Sequence, residues 1–283
     1  MNQGNLGEYL AAIDGPASGV DVLRETVAFA RRRGLAGAAR LFSASLAACL
    51  VDLGDLVEAD AIASPTLREL EAAGDVTVVP AAELVLARIA SLRGDAQAAL
   101  EWVKRLSSAD VLSARLSTES TMARILADAG DHEAARRLLA DILDPTLSQS
   151  GSGEDLRDAV PAAVAIGDLE VAERLLDRAL PPWPHLQYQS IAGRARVAEA
   201  RAAYDEAVAG HAEAGDWWAA FGSLPDEADA RLGLGRCMVV LGRLEDATPA
   251  LERARALYER MGARPGVAEA DALLAVIADG VAR

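Results

Sequence analysis

Apolar positions along this chain recur with the period of a helix and are interrupted at regular intervals by glycine. Between residues 20 and 34, Val20, Leu23, Val27 and Ala30 stand three or four apart and stop before Gly34. That spacing places them on one face of an amphipathic helix. Further along, five segments repeat one pattern: an apolar helical stretch, a Gly, and an Ala five residues later. The pairs are Gly54/Ala59, Gly94/Ala99, Gly130/Ala135, Gly167/Ala172 and Gly242/Ala247. In four of them an Asp follows the Gly directly: Asp55, Asp95, Asp131 and Asp168.

Each part of the pattern has a physical reason. Gly ends a helix in the left-handed conformation, which costs other residues about 1–2 kcal/mol. Asp then caps the free N–H groups of the next helix. The Ala, one turn into that helix, lets it close against the first. Eight residues before the Gly stands Leu46, Leu86, Met122 or Leu234, with Ala159 departing from the pattern. The Gly spacings are 40, 36, 37 and 75 residues, so the last interval has room for two units. Within it, Ala200, Tyr204 and Ala207 keep a helical spacing, and Gly215-Asp216 offers a second turn signal with Ala220 at the same offset. One irregular pair is expected over 187–227.

These units predict an all-α fold, a right-handed α-solenoid of about six to seven stacked antiparallel helix pairs. A single solenoid is expected over 20–280, preceded by a partly ordered segment at 1–19. The tract "DPTLSQSGSGED" predicts a flexible loop at 144–155. Aromatic residues are only 4% of the chain, which suits helices packed through Ala better than a sheet core.

The stretch 228–262, "ADARLGLGRCMVVLGRLEDATPALERARALYERMG", carries Leu234-Gly235, Gly242, Ala247 and Ala254 at the spacings of the tetratricopeptide repeat, which the chain resembles over most of 20–280. Two further stretches, "FARRRGLAGAARLFSASLAACLVDLGDLVEADA" and "LYERMGARPGVAEADALLA", look like the C-terminal helical region of large bacterial regulators. Those combine a cyclase or DNA-binding module with a signal-transducing ATPase. This resemblance implies a sensor or interaction part and no catalytic residue.

Charge and chemistry narrow the function. The formal charge of −15 opposes direct nucleic-acid binding, and "RRRG" at 31–34 suits the basic last turn of a helix. No apolar run is long enough to span a membrane, and the start lacks a signal peptide's pattern. Cys49 and Cys237 have no metal-ligand spacing and are expected as buried hydrophobes in a cytoplasmic protein. "GLG" at 233–235 hints at a phosphate loop, but no GxxxxGK[ST] occurs. His132, His185 and His211 lack metal-binding spacing, and no nucleophile elbow is present. Neither an enzyme nor a cofactor is expected.

The candidate contacts are therefore those of a partner. Arg88, Arg124 and Arg236 each stand six residues before a turn Gly. Stacked helices would align them into a ladder able to hold a carboxylate-bearing or phosphorylated protein or peptide segment. The alternative is that each pairs with an acid of a neighbouring repeat. Trp183, Tyr188 and Gln189 in "PPWPHLQYQS" form a second candidate contact, whereas Trp217, Trp218 and Phe221 read as packing. Two functions fit: a scaffold binding a partner on its concave face, or a receptor domain for a small ligand or peptide. An enclosed pocket would favour the receptor and an open groove the scaffold.

Overall fold

In a computed structural model of the chain, all five turn glycines adopt φ between 73° and 84°. The structure describes residues 3–107, 112–144, 156–178 and 183–281. The aspartates cap as their position requires: Asp55 accepts from Glu58 N–H (3.0 Å), Asp131 from Ala134 (3.1 Å) and Asp168 from Val171 (3.2 Å). Asp95 does the same for Ala98 at 3.0 Å. Ala59, Ala99, Ala135, Ala172 and Ala247 are all buried where the paired helices meet.

Fifteen helices and no strand are present among the described residues. They form seven antiparallel pairs and a closing helix. The pairs are α1 (Gln3–Asp14) with α2 (Pro16–Arg32), α3 (Ala36–Asp52) with α4 (Leu56–Ala73), and α5 (Val79–Arg93) with α6 (Ala96–Ser107). Next come α7 (Leu112–Asp128) with α8 (His132–Leu143), and α9 (Leu156–Ala165) with α10 (Leu169–Leu176). The last are α11 (Pro184–Ala200) with α12 (Tyr204–Phe221), and α13 (Leu224–Val240) with α14 (Leu244–Met261), followed by α15 (Arg264–Val281). Odd-numbered helices pack on one another in succession and make the inner layer; their even-numbered partners lie outside.

Two regions differ in detail from the sequence pattern. Within 1–19, residues 3–14 form α1, and Gly15 joins it directly to α2. Gly7 and Gly19 lie against each other, so α1 and α2 approach backbone to backbone. Glycines leave no apolar periodicity to read. The unit at 187–227 is a regular pair whose turn residue is Ala202, at φ 59°. Ala202 N–H donates to Glu199 O and Ala203 N–H to Ala198 O, the same two bonds that Gly54 and Asp55 make. Ala207, five residues on, is buried like its counterparts, whereas Gly215-Asp216 lies inside α12 and turns nothing. Most of the loop expected at 144–155 lies outside the described residues.

The array curves until its end meets its beginning, with α1 touching α11, α3 touching α13 and α5 touching α15. His185 Nδ1 donates to Ala12 O at 2.8 Å, and Arg264 Nε donates to Arg93 O at 3.1 Å. Leu224 and Met261 press on Gly54, and Pro265 on Gly94. The inner layer thus surrounds a lumen.

Candidate binding lumen

Helical register decides which side chains face the lumen. Six residues before the turn residue, the inner helices place Ala48, Arg88, Arg124, Pro161, Arg196 and Arg236, and all six line cavities. One turn earlier stand Leu84, Ser120, Arg157, Ala192 and Leu232, which also line them. The lumen has two main lobes, of about 250 Å³ and about 590 Å³, joined through a shared wall of Arg88, Thr121, Arg157, Asp158 and Asp226. A side cavity of about 30 Å³ lies behind Gln189.

The smaller lobe is ionic. Arg88 donates to Asp52 (2.9 Å), Arg124 to Asp128 (2.8 Å) and Arg196 to Asp229 (2.7 Å). Arg236 reaches Glu199 on the preceding repeat and Glu269 on the following one, the latter at 2.5 Å. Arg157 spans the lumen, donating to Asp52 at 2.7 Å, with its Nη2 2.8 Å from Asp226 as an ion pair without hydrogen-bond alignment. Burial pushes the Asp52 carboxyl upward, but Arg157 and Arg88 outweigh it and hold the group below its usual value. Burial is the larger influence on Asp226, which Arg157 and Ser223 only partly offset, so its carboxyl is raised. The ladder is thus real in register, and its guanidiniums are already taken by acids.

The larger lobe has an aromatic wall. Tyr9 of α1 and Trp183 lie 5.7 Å apart, Trp183 and His185 5.9 Å, and His185 and Phe221 6.4 Å. Trp218 continues the row 5.8 Å from Phe221. The same lobe is lined by Glu8, Asp52, Asp158 and Asp226 with two arginines, Arg88 and Arg157. Gln189 is 7% exposed, and its side-chain oxygen has no hydrogen-bond partner.

A third polar group sits between α11, α12 and α13, where Glu199, His211 and Cys237 bring potential ligand atoms within 4.8 Å of one another. Their chemistry suits a hydrogen-bond hub better than a metal. Burial alone would raise Glu199, but hydrogen bonds from His211 (3.1 Å) and Arg236 bring it down to about 2. Burial and the Glu199 charge push the Cys237 thiol up to about 12. Arg236 already occupies both oxygens of Glu199. Gly233, in the tract that hints at a phosphate loop, has no side chain because the His211 ring lies against it.

Of the six residues singled out by sequence, Arg88, Arg124, Arg236, Trp183 and Gln189 line the lumen. Tyr188 does not line either lobe; it stacks on the half-exposed Trp217 at 5.0 Å. Trp218 and Phe221, read as packing, also face the larger lobe. Sequence reasoning missed Arg196 because its turn residue is an Ala. It missed Arg157 because that residue stands one helical turn ahead of the ladder position. The acids of the wall carry no signal in a chain with 43 of them.

No family model and no curated protein sequence matches the chain. Among solved structures it is similar to a signal transduction ATPase with numerous domains and a tetratricopeptide repeat sensor from Pyrococcus horikoshii, at TM-score 0.53 and 15% identity. That match covers 91% of this chain, which spans 43% of the other. A Rap protein complexed with competence and sporulation factor is similar at TM-score 0.52 and 13% identity, covering 99% of this chain and 97% of that one. At such identities the likeness is one of fold.

Proposed function

We propose that this chain, a tetratricopeptide-like repeat protein, is a non-catalytic receptor that takes a short peptide or protein segment into its lumen. The observation carrying this reading is closure of the ring: α1 meets α11 and α5 meets α15, so the concave surface wraps round a lumen whose lobes stay partly open to solvent. The larger lobe, about 590 Å³, falls in the range of pockets that bury a drug-sized ligand. The aromatic wall and two of the lumen arginines converge on it. The similar structures carry the same sense: one contains a tetratricopeptide repeat sensor, and the other is complexed with competence and sporulation factor. A place as the sensing part of a larger cytoplasmic regulator fits that likeness, and among the described residues no helix is long and apolar enough to cross a membrane.

A pool of random tetrapeptides, separated by ultrafiltration with the protein and read by mass spectrometry, tests the proposal. Wild type should retain a subset of sequences. Ala12→Trp, which fills the lobe from α1, should retain none while melting at the same temperature. Equal retention by both would place binding outside the lumen.

A further inference from the structure

Both arginines that line the larger lobe, Arg88 and Arg157, are committed to ion pairs. Asp52 is engaged by Arg88 and Arg157, and Asp226 by Arg157 and Ser223. Among the described residues, that leaves two carboxylates without an ion pair. Glu8 accepts from Ser45 Oγ at 2.6 Å, and Asp158 from Thr121 Oγ1 at 2.5 Å. Gln189, beside the lobe, is more than nine-tenths buried and its side-chain oxygen has no hydrogen-bond partner. An anion entering here finds no uncommitted guanidinium. A donor-rich cation finds two carboxylates and the rings of Tyr9, Trp183, Trp218 and Phe221, whose quadrupoles attract positive charge.

We propose that the aromatic lobe binds an organic cation: an ammonium or guanidinium carrying an apolar or aromatic group. The inference rests on the reading of the lumen as the binding chamber and adds the chemical class of its occupant. It reverses the acidic or phosphorylated partner that the arginine ladder alone suggests. The arginines hold the repeats together; the surplus acids face the ligand. A basic residue or free amino terminus of a peptide has this chemistry, and so does a small aromatic amine.

Isothermal titration of the full chain separates the possibilities. The probes are a tetrapeptide amide with Arg beside Phe, the same peptide with Glu for Arg, phenethylammonium and inorganic phosphate. The Arg peptide should bind at least about tenfold more tightly than its Glu counterpart, since the acids of the lobe repel a like charge. Phosphate should give no heat. Glu8→Gln, on the exposed face of α1, and Asp158→Asn should each weaken the Arg peptide by about three- to tenfold. Binding of phenethylammonium without either peptide would keep the cation site and overturn the peptide receptor. Equal binding of both peptides would keep the receptor and overturn the cation site. Preference for the Glu peptide or phosphate, unchanged affinity in both variants, or no heat from any probe would each overturn the proposal.

Discussion

In the smaller lobe five arginines face five carboxylates, while in the larger lobe four carboxylates face two arginines and a row of rings. Three of those arginines pair with acids about one repeat away: Arg88 with Asp52, Arg196 with Asp229, and Arg236 with Glu199 and Glu269, at separations of 36, 33, 37 and 33. Charge there fixes how one repeat sits on the next. In the second lobe Glu8 and Asp158 are each held by one hydroxyl and by no guanidinium, which leaves acceptor capacity for a ligand. Removing a group should therefore weaken the fold in one lobe and spare it in the other.

The largest effect is expected at Arg157, which ties α9 to both α3 and α13. Arg157→Met leaves Asp52 and Asp226 as partly buried carboxylates short of a partner. It should lower stability by about 3–5 kcal/mol, as when one member of a buried ion pair is deleted. Chemical denaturation gives the value. A loss below about 1 kcal/mol, the scale of an exposed pair, would mean the bridge does not hold the ring closed. The smaller effect has the opposite sign. Gln189→Leu removes a buried acceptor that has no partner and should leave the free protein as stable or about 1 kcal/mol more stable. A loss of 2 kcal/mol or more, roughly the cost of stranding a buried polar partner, would show that Gln189 serves the fold and erase the contrast between lobes.

The repeat was legible because its turns obey a strict local rule. A left-handed residue, a capping Asp and a small Ala leave marks at fixed offsets, and Gly54, Asp55 and Ala59 show all three. The rule failed where the physics tolerates an exception. Ala202 accepts the left-handed conformation, so the sixth unit kept its geometry and lost its marker. The ladder position was legible for the same reason as the turns, since it lies at a fixed distance from them. What those arginines do was not, because pairing depends on acids one repeat away. The aromatic wall was half visible: Trp183 stood out between prolines, but Tyr9 joins it from a helix built on glycine contacts. Juxtapositions set by curvature, such as Tyr9 with Trp183 or Arg157 with Asp52 across 105 residues, leave no local pattern to read.

Hydrogen exchange of the full chain, with and without a saturating tetrapeptide retained from the pool, tests the binding lumen most directly. Binding inside it should slow exchange in α1, at the start of α11 and across the turn from α12 into α13, leaving α4, α6 and α8 unchanged. Protection confined to those outer helices, with α1 and α11 unaffected, would contradict the account.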